Sequence, residues 1–449
     1  MLLPFLFCIL VLYVPPPAGT VTHAWPVATA GVAALALLNA AAGWAGSGVA
    51  LRLSQAAAPG RSLAAHRVFT FLKGCLVGFV LADVFVLGWP AIVDAALAEP
   101  WWAAFVHDIV LLLPALVMAL TLMAFQHRVE FRQQRVSLRL GPYLWLRFRV
   151  ELGIVLVPWL ALVLASAAVS LAFQGSELAT AADAIASGTV VALLVVCSPL
   201  ILRGIWDTSP LPRGPLRDRL EAFCRAHRFR CHEILVWHTH RHLANAGVAG
   251  PTPLMRYVML TDALLYHCTE EEIEAAFAHE VGHIRHRHLL FYVIFGLAFT
   301  CFYANLVDLV ALTGWVQPLK DILAFSMTAG QAVVMILFAA LYWGLLFGFV
   351  SRRMEQQADL FALRSVGDPT SFIGALEKLA AMGGAPGGAS SWRHFSMERR
   401  IGFLQGVITE PAAAARLQRR IAAIQAGLIL ALALGAARLL IARPELFGL

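Results

Sequence analysis

Apolar stretches long enough to cross a bilayer as helices recur along the whole chain. They cover approximately residues 24–48, 68–97, 101–125, 150–173, 184–203, 289–314, 325–350 and 421–442, so about eight membrane helices are predicted. Residues 1–14 are a ninth candidate. That run is short and has no basic n-region, which leaves both a cleaved signal peptide and a first anchor open. Residues 204–288 and 351–420 instead mix polar and apolar positions, as a folded lobe outside the bilayer does.

Composition agrees with this pattern. Of 449 residues, 60% are hydrophobic and 14% charged, and the mean hydropathy is +0.74, outside the range of a soluble globular chain. Arginine sets the orientation. Arg52, Arg61 and Arg67 follow the first long span, and Arg128, Arg132, Arg135, Arg139, Arg147 and Arg149 follow the third, which marks both segments as cytoplasmic. Glu99, Glu177 and Asp183 lie in the alternate connections. Carried forward, the rule places 204–288 and 351–420 in the cytoplasm and the C-terminal tail outside. A net charge of +7 is then accounted for by arginine beside a membrane and calls for no nucleic acid. The seven cysteines are scattered and form no C-x-x-C pair, so reduced thiols are expected, without a disulfide framework or a cysteine–zinc knuckle.

The candidate chemistry lies in His279-Glu280-Val281-Gly282-His283. Four residues is about one helical turn, so both imidazoles leave one face and can hold one metal ion. Glu280 sits about 100° round the helix, placed to accept a proton from a water that the metal activates. Upstream, Thr269 and Glu272 read as a capping box, and Ile273, Ala276, Phe277 and Val281 follow at helical spacing.

Hydrolytic zinc usually takes three protein ligands, so one more is needed. His286 lies on nearly the same helix face, and His288 is close by. A metzincin would need glycine at 286 and histidine at 289, where this chain has His286 and Leu289. Glu355 is better placed, because the spans 289–314 and 325–350 form a hairpin that returns residue 351 onward to the face where His283 lies. Asp359, one turn on, is positioned to orient a ligand from behind. On spacing alone, Glu355 and Asp359 read equally well as solvated charges beside Arg352 and Arg353.

Several segments in order resemble the membrane-embedded zinc metallopeptidases that include the type I CaaX prenyl endopeptidases and the heat-shock protease HtpX. These are Asn245-Ala246, the stretch from Tyr257 to Leu265, His279 to His283, Glu355-Gln356-Gln357-Ala358-Asp359, and Ser391-Trp392-Arg393-His394 with Arg400. The resemblance covers roughly residues 215–405. It implies that Glu355 is the third zinc ligand and that His394 and Arg400 stabilise the oxyanion. Phe395 stands where the family commonly has proline. One Zn2+ per chain is then expected, held by His279, His283 and Glu355, with Glu280 as general base. The extended segment from Asn245 and Ala246 to Val248 is expected to pair with substrate as an added strand.

Other polar residues have less specific readings. His238, His240 and His242 would share one face if they lay in a strand, either as a second metal site or as a solvated face. Asp83, Asp108 and Asp308 lie in apolar spans, where ionisable groups are costly and often line a polar cavity; His107 adjoins Asp108. The run 383–389 is a linker or a hinge, and Pro210, Pro212 and Pro215 mark the hand-over from membrane to lobe.

The expected protein is mainly α, a polytopic membrane protein of about eight or nine transmembrane helices with a cytoplasmic-facing α+β zinc metallopeptidase lobe. Its expected parts are N-terminal membrane helices (1–203), a lobe with the motif helix (204–288), a membrane hairpin (289–350), a second part of the lobe (351–420) and a C-terminal membrane helix and tail (421–449). The expected substrates are membrane or membrane-proximal polypeptides, with quality control as the task. Prenyl-peptide processing is the alternative within the enzyme class, and a catalytically silent escort protein the alternative outside it. An Ala- and Arg-rich, lysine-poor chain points to a bacterial inner membrane.

Overall fold

The computed structural model describes residues 2–12, 25–55, 61–97, 103–133, 136–173, 176, 178–313, 335, 337–382 and 395–442. The chain divides into two compact units, Met1–Thr208 and Ser209–Leu449. Seven helices among the described residues are long and apolar enough to cross a membrane. They correspond to seven of the eight predicted spans. Of the eighth, 325–350, residues 325–334 and 336 lie outside the described residues.

The first unit is helical: α1 (Leu2–Leu12), α2 (Trp25–Gln55), α3 (Arg61–Phe85), α4 (Trp89–Ala96), α5 (Ala103–Arg132), α6 (Leu140–Arg147), α7 (Ile154–Ala172) and α8 (Ala179–Ile205). Its core joins Phe5 and Cys8 of α1 to Leu72, Leu76 and Val80 of α3 and to Met118, Leu122 and Met123 of α5. Small residues permit close helix contact here, as expected where lipid supplies no hydrophobic drive between helices. A Cβ at Gly46 would stand 2.7 Å from the Leu72 side chain.

Two spans differ from the sequence expectation. The run 68–97 is not one helix: α3 stops at Phe85, Gly88 takes φ 67°, and Trp89-Pro90 opens α4. Glycine enters the left-handed region without a Cβ penalty, and proline suits a first helical turn. The expected helix 150–173 begins ten residues earlier, within a continuous stretch Leu140–Ala172, because a π-helical segment at Phe148–Gly153 joins α6 to α7. Arg147 therefore lies inside a helix, where it bonds Glu151 at 2.6 Å and Glu130 at 3.1 Å.

The second unit is built on a four-stranded sheet of order β1-β2-β4-β3: β1 (Thr208–Pro210), β2 (Glu233–Trp237), β3 (Ala246–Ala249) and β4 (Tyr257–Thr261). β2 and β4 are parallel, β3 and β4 antiparallel, and β3 is an edge. Helices α9 (Pro215–Ala226), α10 (Asp262–His267), α11 (Glu270–Arg285), α13 (Gly348–Ser365), α14 (Pro369–Met382) and α15 (Met397–Thr409) complete the lobe. Leu220, Ile234, Val258, Phe277, Leu360, Phe372 and Leu404 meet in one core.

Two long apolar helices belong to this unit, α12 (His288–Thr313) and α16 (Ala412–Ala442). The descending arm α12 meets the returning segment through Phe291, Phe295, Tyr342, Phe347, Val350 and Met354. Tyr342 donates its hydroxyl to the Phe295 carbonyl at 2.7 Å. A π-helical segment, Ala340–Phe347, runs directly into α13. This packing ends one residue before Glu355, so the two arms deliver α13 beside α11.

Candidate active site

α11 starts where its capping residues dictate. Thr269 accepts the Glu272 backbone N–H, and the Glu272 carboxylate accepts the Thr269 N–H at 2.8 Å. Further along the same helix, Gly282 faces α13. A Cβ there would stand 3.1 Å from the Ala358 Cα and 3.2 Å from its carbonyl oxygen. The missing side chain lets the helix carrying Glu355 lie against the helix carrying both histidines.

The outcome is a three-donor cluster. His279, His283 and Glu355 are the group of metal-binding side chains among the described residues whose ligand atoms all lie within 4.8 Å of one another. His279 Nε2 and His283 Nε2 are 3.2 Å apart, and Glu355 places Oε2 3.5 Å from the first and Oε1 3.7 Å from the second. Donors about 2.0–2.1 Å from a tetrahedral ion stand roughly 3.3 Å apart, so the set fits one such ion. Its chemistry, two imidazoles and a carboxylate, also fits.

Each histidine is held from behind. His279 Nδ1 lies 2.8 Å from Asp359 Oδ1, and Asp359 is gripped by Arg400, with Nε 3.0 Å from Oδ2 and Nη2 on Oδ1. His283 Nδ1 lies 2.8 Å from His288 Nδ1. A hydrogen-bonded Nδ1 fixes which ring nitrogen faces a metal.

Burial is the common electrostatic theme. Burial opposes charge on His279, but hydrogen bonds to Asp359 and Glu355 outweigh it and push its pKa up to about 9. Burial raises Asp359 too, yet the Arg400 charge and the His279 hydrogen bond win and hold its carboxyl below the usual range. Burial drives His283 well below its ordinary value, so its imidazole is neutral. The cluster thus favours positive charge at its centre, where a bound cation would displace the His279 proton.

Glu280 is pushed up by burial, against the lowering influence of the His279 charge. The backbone N–H of Val248 hydrogen-bonds its carboxylate, which ties it to β3. Thr261 N–H donates to the Asn245 carbonyl at 3.0 Å. By antiparallel alternation, the backbone groups of Ala246 and Val248 therefore face away from β4, along the open edge.

The structure brings His279, His283, Glu355, Glu280, Asp359 and Arg400 together, with Ala246 on the neighbouring edge. His394 lies outside the described residues. Arg400 is 6% exposed, with two of its three nitrogens on Asp359 and the third on Met397 Sδ. His286 caps the end of α11 and packs against Phe361. His238, His240 and His242 do not share a strand face. β2 ends at Trp237, and the chain turns with φ 54° at His240 and 61° at Arg241, held by Thr239 and the Arg241 amide on Asp262. His238 bonds Ser209 at 2.7 Å.

Sequence reasoning missed the Val248 amide on Glu280, the part played by Gly282, and the neighbours Gln357 and Gln418 behind His288. Neutral glutamines carry no spacing pattern that announces such contacts. Of the intramembrane acids, Asp83 is buried with neither oxygen hydrogen-bonded among the described residues, Asp108 bonds His107 at 2.9 Å, and Asp308 pairs with Arg438 at 3.5 Å.

Together, a helical membrane scaffold and a buried His-His-Glu cluster beside a glutamate define a membrane metallopeptidase. Residues 214–425, a little under half of the chain, match the model of peptidase family M48, and the chain is a metalloprotease. The protein is 24% identical over 217 residues to a protease HtpX homolog of Neisseria meningitidis, covering 46% of this chain and 74% of the relative. It is 29% identical over 184 residues to a CAAX prenyl protease 1 homolog of Arabidopsis thaliana, covering 38% of this chain and 42% of that one. Among solved structures, Ste24p of S. mikatae aligns with a TM-score of 0.48 at 16% identity, over 85% of this chain and 99% of that chain.

Proposed function

We propose that this chain is a zinc endopeptidase of a bacterial inner membrane, with its site facing the cytoplasm, that cleaves membrane or membrane-proximal polypeptides in quality control. The observation that carries the reading is the His279, His283 and Glu355 donor set with Glu280 on the adjoining position of the same helix. When bound, zinc supplies a Lewis acid that polarises the scissile carbonyl and acidifies water. Glu280 accepts the proton of the attacking water and returns it to the leaving amine, and its burial suits both transfers by raising its proton affinity. Asp359 orients His279, and Arg400 keeps Asp359 ionised. An oxyanion contact from Arg400 would come from N–H groups that Asp359 does not occupy, those of Nη1 beside Met397 Sδ; His394 is the other residue proposed for that contact.

Substrate is proposed to add as a strand to the β3 edge at Asn245 and Ala246, so that main-chain pairing sets the scissile bond near Glu280 with little dependence on sequence. Arginines in the segments next to the spans support the cytoplasmic placement. The test uses the detergent-solubilised full chain with unfolded membrane-protein substrates and a prenylated CaaX peptide. Zinc-dependent cleavage of the former, lost in Glu280→Gln while zinc stays bound, is expected. Cleavage of the prenylated peptide alone would transfer the assignment to prenyl-peptide processing.

A further inference from the structure

His279 and His283 are steadied by different chemistries. Behind His279 stands a carboxylate, Asp359, held by Arg400. Behind His283 stands a chain of neutral groups. His283 Nδ1 meets His288 Nδ1 at 2.8 Å, His288 Nε2 meets Gln357 Oε1 at 2.9 Å, and Gln357 Nε2 donates to Gln418 Oε1. His288 is 1% exposed, so no solvent replaces these partners.

A neutral imidazole has one N–H and one acceptor nitrogen, which makes the chain directional. His283 turns Nε2 toward His279 and Glu355 and needs a lone pair there to bind metal. Its Nδ1 must then carry the proton and donate to His288 Nδ1. His288 is left with a proton on Nε2, which the Gln357 carbonyl oxygen accepts. The Gln357 amide nitrogen in turn faces an acceptor, Gln418 Oε1. Were Gln357 reversed, it would donate to His288, His288 would donate to His283, and the His283 proton would sit on Nε2, where it blocks ligation.

We infer that His288 is a positioning residue that, through Gln357 and Gln418, selects the metal-competent tautomer of His283, so that the C-terminal helix α16 sets the strength of the metal site. α16 is itself fastened to α12. Asn305 donates to the Gly435 carbonyl at 3.2 Å and accepts from Arg438 at 2.8 Å. The inference rests on the reading of His283 as a metal ligand.

The experiment measures zinc affinity of the purified full chain by competition with a chelating indicator, together with the visible spectrum of the cobalt-loaded protein. His288→Leu is expected to weaken zinc binding about 10–100-fold and to shift the cobalt bands, the usual scale for loss of a partner behind a metal ligand. His288→Asn offers an acceptor near the Nδ1 position and is expected to restore most of the affinity. Gln418→Leu, remote from the ligands, is expected to weaken binding by a smaller factor. Unchanged affinity and spectrum in His288→Leu, or no rescue in His288→Asn, would overturn the relay. If His288→Leu does not fold, unchanged affinity in Gln418→Leu overturns it. His279→Ala separates the two readings: if it binds zinc like the unaltered chain, the metal centre itself is misassigned.

Discussion

Gly282 and Ala358 touch backbone to backbone. A Cβ at 282 would lie 3.1 Å from the Ala358 Cα, tighter than ordinary van der Waals contact, so glycine at 282 favours the close approach of α11 to α13. Glu355, three residues before Ala358, meets His279 and His283 through this contact. Replacing Gly282 by valine should force the helices apart, with a loss of about 1–3 kcal/mol from overpacking. The thermal midpoint and the bound zinc per chain should fall together; a stable variant with full zinc would refute the coupling.

Arg400 and Asp359 form a buried, doubly bonded pair. Arg400→Ala leaves the buried Asp359 carboxylate with His279 alone and should destabilise the lobe by about 3–5 kcal/mol. Adding Asp359→Asn should recover part of that loss in thermal denaturation, because it removes the buried charge. Equal stability of the single and double variants would contradict this account.

Cys224 and Cys231, distant from any C-x-x-C pattern, hydrogen-bond to each other in the lobe. The contact between the two thiols lowers the Cys231 pKa, while the same contact and burial raise Cys224. As pH falls below the ordinary thiol range, Cys224 should therefore stop reacting with iodoacetamide first, and Cys231 should persist as the thiolate to lower pH. Peptide mass spectrometry across pH 6–10 reads both sites (a range of about four units around the ordinary thiol pKa of about 8.5). Cys224→Ala should bring Cys231 back up.

Asn305 joins α12 to α16 inside the apolar region, and a Cβ at Gly435 would stand 3.0 Å from Cys301 Sγ. Asn305→Leu removes the hydrogen bonds yet keeps the bulk. A loss of about 1 kcal/mol is expected, since interhelical polar contacts in membranes are modest. Unfolding in mixed detergent micelles measures it. Gly435→Leu should cost more, because it also displaces Cys301.

Much of this molecule is legible in the chain because the constraints act locally. A bilayer demands about 20 apolar residues per helix, so the spans show in any hydropathy reading. The break at Gly88 does not, because the run stays apolar through the bend and hydropathy is blind to φ. The alternating histidines at 238, 240 and 242 suggested a strand face, but Asp262 pulls the chain into a turn that no local pattern announces.

The sequence by itself determined the helix that begins at Thr269, the pairing of His279 with His283 and the presence of Glu280 beside them, since capping and a four-residue spacing are short-range facts. Only the tertiary structure decided how those two histidines are completed and held. Glu355, Arg400 and Gln418 arrive from 72, 117 and 135 residues beyond His283, brought by helix packing at Gly282, a buried ion pair and an amide chain. Contacts of that range depend on the shape of the whole core, and no spacing within one segment encodes them.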